Sequence, residues 1–223
     1  MDYSVYEIVA FFTFLIISIG CSVYGAYKCL KEGRPLFYQL FVCAIILSAL
    51  SNVYDTLTIF FFHQWWAGIS LPTIAYYGEI MLFFGAVMEM VLFLKSKGID
   101  CSLKTGFGLK TILLASVPAF LEVYGFFLLV PYNGVLYSAI SLAFTLLPTY
   151  AAALVVLKKD DQSGFVRSLR LPCSGIMLAC ETGSFIDYTL CIDGPFYLIN
   201  CCIFAFFAVI IVIGLERGNK KWI

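Results

Sequence analysis

Basic side chains are missing from the interior of every long apolar run in this chain, and histidine is nearly missing altogether. Fourteen Lys and Arg and one His stand among 223 residues. Charged residues make up 13% of the chain, about half the roughly 25% of soluble domains, and 62% are hydrophobic. These shortages exclude several chemistries. One histidine cannot supply the paired axial ligands of a membrane haem or a serine–histidine dyad inside the segments. The last apolar run, 196–215, has no lysine to carry a retinal Schiff base. Nine cysteines occur without a single Cys-x-x-Cys spacing, so clustered structural zinc ligands are not expected and the thiols read as small buried hydrophobes. A net charge of zero leaves no basic face for phosphates, which argues against nucleic acid as a partner.

What the chain has in abundance is long apolar segments. Crossing a hydrocarbon core takes about 20 apolar residues as a helix. Seven stretches qualify: 5–29, 36–62, 71–94, 111–130, 135–157, 171–191 and 196–215. The expected fold is all-α: a polytopic membrane protein, one domain over 1–223, forming a seven-transmembrane-helix bundle in the cell membrane. The connections are short, so consecutive helices are expected to be antiparallel neighbours. Lys28, Lys31 and Arg34 follow the first segment, and Lys95, Lys97, Lys104 and Lys110 surround the third connection. Lys158, Lys159, Arg167 and Arg170 surround the fifth, and Arg217, Lys220 and Lys221 close the chain. The bias of Lys and Arg toward cytoplasmic loops then puts the amino terminus outside and the carboxyl terminus inside. The start lacks a basic n-region and its apolar run is too long for an h-region, so a retained first helix is expected in place of a cleaved signal. The connections 96–110 and 158–170 read as solvated loops. Trp65 and Trp66 read as interfacial belt.

Against this background the acidic residues are the best clue to function. Six carboxylates lie in the interiors of apolar segments: Asp55, Glu79, Glu89, Glu122, Glu181 and Asp187. An acid in hydrocarbon costs several kcal/mol unless it is protonated, paired or wetted. By helical rise, Asp55, Glu79, Glu122 and Asp187 share a depth roughly 8–12 Å inside the outer boundary. Glu181 falls near the midplane and Glu89 toward the cytoplasm. In the second segment Ser48, Ser51, Asn52 and Asp55 follow the i, i+3, i+4, i+7 spacing of one helix face. That stripe is expected to face the bundle centre, opposite the third, sixth and seventh segments. The sixth segment carries Ser174, Glu181, Ser184 and Tyr188 on one stripe and Cys180 with Asp187 on another. Tyr197 and Asn200 lie one turn apart in the seventh. Gly78 and Gly85 are expected to let helices approach closely on the line of Glu89. Pro118 and Pro148 are candidate kinks in the fourth and fifth segments.

Together these residues outline an outward-facing acidic and aromatic pocket for a cation or small ligand. Its expected ligand-binding set is Asp55, Glu79, Glu122, Asp187, Glu181, Asn52, Tyr54, Tyr76, Tyr124, Tyr188 and Asn200. The tyrosines, with Tyr77 nearby, could add cation–π attraction of about 0.5–2 kcal/mol. Lacking basic partners, at least one ring carboxyl is expected to stay protonated near neutral pH, so that cation binding releases protons. The bland alternative is carboxyls that simply hydrogen-bond across helices, at about 0.6 kcal/mol each. No catalytic set, metal site or cofactor is expected.

At the level of layout the chain resembles the seven-helix amino-terminal sensor region of bacterial histidine kinases. The likeness rests on the polar end of the second segment, Tyr76-Tyr77-Gly78-Glu79, Leu92-Phe93-Leu94-Lys95 and the proline of the fourth segment. It implies a small membrane receptor or sensor whose output passes to a separate cytoplasmic partner. A proton- or cation-coupled transporter is the second expectation, with Glu181 and Glu89 continuing a proton path inward. A carboxylate-dependent intramembrane hydrolase or lipid-modifying enzyme using Asp55 and Asp187 is the third. Oligomeric state stays open.

Overall fold

The computed structural model describes residues 5–62, 70–96, 108–157, 165–192 and 195–222. These are almost wholly helical: α1 (Val5–Glu32), α2 (Leu36–Phe60), α3 (Leu71–Ser96), α4 (Leu109–Leu157), α5 (Phe165–Ile192) and α6 (Pro195–Trp222). Five of them, all but α5, contain stretches long and apolar enough to cross a membrane. The chain thus has the character of a multi-pass membrane protein. His63, Trp65, Trp66 and Asp193, and most of the two longest connections, lie outside the described residues.

Local chemistry explains the element ends. At the α1–α2 turn Gly33 takes φ 57°, the left-handed conformation that closes a helix without Cβ strain. Arg34 and Pro35 follow, and the Pro35 carbonyl accepts the amides of Tyr38 at 3.0 Å and Gln39 at 3.2 Å to start α2. Ser70 stands before α3, its hydroxyl 3.0 Å from that of Thr73.

Helix α4 joins two of the expected segments, as two helical arms that meet at a kink. The fourth and fifth segments run as one element of 49 residues whose only non-helical backbone is Gly134, at φ 78° and ψ 163°. Pro118 and Pro148 are carried within helical backbone. Thr145 and Thr149 nevertheless bond to Glu122, 23 and 27 residues earlier. In a straight helix those partners would be about 34 Å or more apart. The two arms therefore fold back on each other at Gly134, where a side chain would be strained. Other ends also differ: α5 begins at Phe165, so Arg167 and Arg170 are helical rather than in a loop, and α6 continues to Trp222.

The helices close a ring in chain order, each touching its neighbours and α6 returning to α1. The interior has two characters. Between α1, α2, α3 and α6 it is aromatic: Phe83 meets Phe41 at 5.8 Å and Phe207 at 5.9 Å, and Phe204 meets Phe14 at 4.8 Å. Between α4 and α5 it is hydroxylic: Ser138, Ser141, Thr145, Thr149, Thr182 and Ser184 are all buried. Close approach of α5 and α6 depends on Gly175, where a Cβ would lie 2.5 Å from Ile211 Cγ1. Gly78 approaches Leu47 in the expected manner, but a Cβ at Gly85 would meet nothing within 4 Å, so that glycine does not mark a close helix contact.

Candidate functional site

Glu122 anchors the hydroxylic half. It sits on the first arm of α4 at 2% exposure. Thr145 Oγ1 lies 2.8 Å from its Oε2, Ser184 Oγ lies 3.1 Å from the same oxygen, and Thr149 Oγ1 lies 3.4 Å from Oε1. Three elements thus converge on one carboxyl: both arms of α4 and α5. Thr145 Oγ1 also lies 3.1 Å from the Ser141 carbonyl. Gly125, one turn on from Glu122, faces Ser184: a Cβ there would stand 3.4 Å from Ser184 Cβ.

Glu181 is one turn before Ser184 on α5 and within electrostatic reach of Glu122. Both of its carboxyl oxygens are buried and accept no hydrogen bond. On α3, Glu79 is 2% exposed; the Ser48 hydroxyl of α2 serves it, while its Oε1 is buried without a partner. Cys180, next to Glu181 on α5, is in the field of Glu122, Glu181 and Glu79 and bonded to Thr149. Tyr76 of α3 locks this region to α5, its hydroxyl 3.2 Å from the Ala179 carbonyl and 3.4 Å from that of Cys180. The tyrosine fits only because residue 183 is glycine: a Cβ there would fall 2.3 Å from the Tyr76 oxygen.

The sequence-chosen residues distribute unevenly about this centre. Glu79, Glu122, Glu181 and Tyr76 come together around Cys180. Tyr77 is buried and stacks on Phe144 at 4.8 Å, which ties α3 to the second arm of α4. Tyr124 is 56% exposed on the outside of the bundle, away from the buried side of Glu122. Tyr188 packs edge-on against Tyr132 at 6.1 Å. Tyr54, Asp55, Glu89 and Asn200 are half-buried. Asp187 belongs to α5, but its side chain, like that of Tyr197, lies outside what is described.

The α2 stripe is partly as expected. Ser48 and Asn52 are buried, yet Asn52 Nδ2 donates to Ser18 Oγ of α1 at 3.3 Å. Helix α1, absent from the expected partners of that stripe, therefore takes one of its polar groups, because α1 packs on α2 directly. The hydroxyls of Thr145 and Thr149 were not singled out in the sequence. Their i, i+4 spacing, with Ser141 one turn before, is the signal that could have found them. Among the described residues no three His, Cys, Asp or Glu side chains stand close enough to hold a metal ion. Cys21, Cys29, Cys43, Cys173, Cys180, Cys201 and Cys202 are free thiols.

A second polar centre sits at the basic end of the bundle. Arg34 Nη2 lies 3.3 Å from each oxygen of Glu216 on α6, and Tyr38 Oη donates to Glu216 Oε1 at 2.8 Å. Arg34 also pairs with Glu32 and lies 5.2 Å from the Tyr38 ring centre. This cluster clasps the α1–α2 turn to the end of α6. Comparison of the chain with family models, curated proteins and solved structures finds no match.

Proposed function

We propose that this chain is a small multi-pass receptor or sensor of the cell membrane whose interior carboxyls bind a cationic ligand. The observation that carries the proposal is the pairing of Glu122, held only by hydroxyls, with Glu181, whose buried oxygens accept nothing. Buried acceptors left unbonded are costly in a structure that serves packing alone. They are suited to a positive species that enters and leaves.

Counting the two arms of α4 separately gives seven crossings, with α5 as the most polar and enclosed between α4 and α6. The positive-inside bias then places the amino terminus outside and the basic end, with Arg34 and Glu216, in the cytoplasm. In this orientation the layout shared with histidine-kinase sensor regions favours sensing, with output to a separate cytoplasmic partner. A transporter is favoured by one further observation: Glu79 and Glu181, on two different helices, both offer buried unbonded oxygens, as successive stations would.

Two measurements test these statements. Cysteine-accessibility mapping is expected to place Trp65, Tyr132 and Asp193 outside and Thr105, Gln162 and Trp222 inside; Thr105 labelled from outside would reverse the orientation. Isothermal titration of the purified chain with a panel of alkali ions and small amines, in two buffers of different ionisation enthalpy, is expected to show binding with proton release. No binding by any member would remove the interior site. Ion flux into liposomes, absent for a sensor, would replace it with the transporter.

A further inference from the structure

We infer that the basic end of α1 binds an anionic phospholipid, with the headgroup phosphate on Lys31 and Tyr27 and an acyl chain along the exposed face past Gly20. The inference does not rest on the interior carboxyls; it needs only a chain that spans a membrane. Its first ground is the order of residues on one face. Tyr24, Tyr27, Lys28 and Lys31 follow the i, i+3, i+4, i+7 spacing of a single stripe. Tyr24 and Tyr27 are exposed, as are Ile16 and Val23 toward the apolar middle of the helix. Apolar, aromatic and basic side chains thus succeed one another toward the helix end, as hydrocarbon, interface and phosphate do in a leaflet. From Tyr24 to Lys31 the rise is about 10 Å, enough to reach from the hydrocarbon edge into the headgroups.

The second ground is the donor set. Lys31 Nζ donates to Tyr27 Oη at 2.7 Å and lies 5.2 Å from the centre of that ring. An ammonium has three hydrogens, so others remain for an acceptor from outside the chain. The tyrosine accepts from Lys31 and, among the described residues, donates to nothing, so its own hydrogen is available as well. Ammonium and phenol side by side present donors to two oxygens of one phosphate.

The third ground is charge. The nearby clasp is balanced: Lys28 and Arg34 hold Glu32, and Arg34 also holds Glu216. Lys31 acts on Glu32 from outside that cluster and forms no ion pair among the described residues. One surplus positive charge suits one phosphodiester. A zwitterionic lipid brings an ammonium too, and both carboxylates here are already taken; an anionic headgroup brings none. The fourth ground is room for a chain. Gly20, one turn before Tyr24, is exposed, and a Cβ there would meet nothing within 4 Å. This glycine serves no close helix contact within the bundle, and it leaves a notch below the Tyr24 ring along which an acyl chain lies.

The test reconstitutes the full chain in phosphatidylcholine vesicles with a trace of spin-labelled phosphatidylglycerol or, in parallel, spin-labelled phosphatidylcholine of the same chains. The motionally restricted fraction of each label reads which lipid the protein holds. Phosphatidylglycerol is expected to associate about fivefold more strongly, the effect of about one basic residue at a lipid surface. Lys31→Gln is expected to remove most of that preference, while Lys31→Arg and, on α3, Lys95→Gln keep it. Tyr27→Phe is expected to lower it at least about twofold. Equal association of the two lipids would overturn the inference, as would an undiminished preference in Lys31→Gln. Release of the labelled lipid by sodium phosphate, but not by sodium chloride of equal ionic strength, would make this a free-phosphate site and overturn the lipid assignment. Disulfide-linked dimers of Gly20→Cys, absent from the unsubstituted chain, would give the face to a second copy and overturn it too. The contrast between the two lipids needs no variant, so it decides even where a variant folds poorly. None of these outcomes bears on the interior carboxyls, whose ligand is read by the titration with cations.

Discussion

Glu216 at the basic end meets a guanidinium through both of its oxygens and a tyrosine hydroxyl besides, whereas Glu122 in the α4–α5 half meets three hydroxyls and no cation. Both carboxyls bridge elements far apart in sequence. The first is neutralised by a residue of the chain itself and so works as a fixed clasp between the α1–α2 turn and α6. The second is hydrogen-bonded without being neutralised, and its neighbour Glu181 is neither. With Lys28 on Glu32 at 2.6 Å, two cations meet two carboxylates at this end, and such a charge-balanced cluster has no need of a further partner. A carboxyl surrounded only by neutral donors keeps its charge problem and can solve it with either a proton or an ion. The difference arises from position: Arg34 lies in a turn at a bundle end, but a basic residue beside Glu122 would have to be carried into the apolar interior.

The contrast can be broken most directly at the clasp. Arg34→Ala leaves Glu216 with only its tyrosine. Removing one partner of a fully buried pair costs about 3–5 kcal/mol. With side chains 10% and 20% exposed, the expected loss here is nearer about 2 kcal/mol. Thermal unfolding in detergent reads it, and an unchanged midpoint would mean that the clasp holds nothing.

A smaller effect is expected at the cage. Glu122→Gln keeps the shape and the capacity to bond Thr145, Thr149 and Ser184, so its stability cost should stay below about 1 kcal/mol while ion-dependent stabilisation disappears. A loss as large as that of Arg34→Ala would show that both carboxyls do the same structural task. The smallest effect is expected for Ser184→Ala, about 0.6 kcal/mol by the usual worth of one hydroxyl bond between membrane helices. If Ser184→Ala exceeds Glu122→Gln, the hydroxyls rather than the carboxyl organise this half.

Much of the helical layout was legible in the sequence because hydrocarbon demands long apolar runs whatever their tertiary partners. The helix starts at Leu36 and Leu71 coincide with the segment starts, and Gly134 was legible as part of a connection. Less legible was how small that connection is: one left-handed glycine reverses the direction of α4, with helical backbone on both sides of it. Helix ends in polar sequence were missed for a related reason. Residues 165–170 and 216–222 are charged, so hydropathy stops before them, yet their backbone continues helical.

For the site, depth along the helices was readable and azimuth was not. Glu79 and Glu122 stood out as acids in apolar runs and are buried. Tyr124, two residues after Glu122, points outward, because successive positions on a helix turn by about 100°. Asn52 lies on the expected stripe of α2, but the stripe serves two neighbours, Ser18 of α1 and, through Ser48, Glu79 of α3. Threonines 145 and 149 shared a face with Ser141 but did not stand out as site residues, since a threonine in an apolar helix ordinarily bonds its own backbone four residues back.

The sequence by itself determined that this is a helical protein of membrane character, that its basic residues gather at segment ends, and that acids stand within its apolar runs. Solvent preference alone decides those features, residue by residue. Tertiary structure alone decided that Glu216 finds Arg34, that Glu122 finds hydroxyls from two other helical arms, and that both Glu181 oxygens are buried and unbonded. These depend on the fold-back at Gly134 and on glycines 175 and 183, which set how closely the helices meet. No local pattern encodes a contact between residues 23 to 182 positions apart; only the packed bundle brings them together.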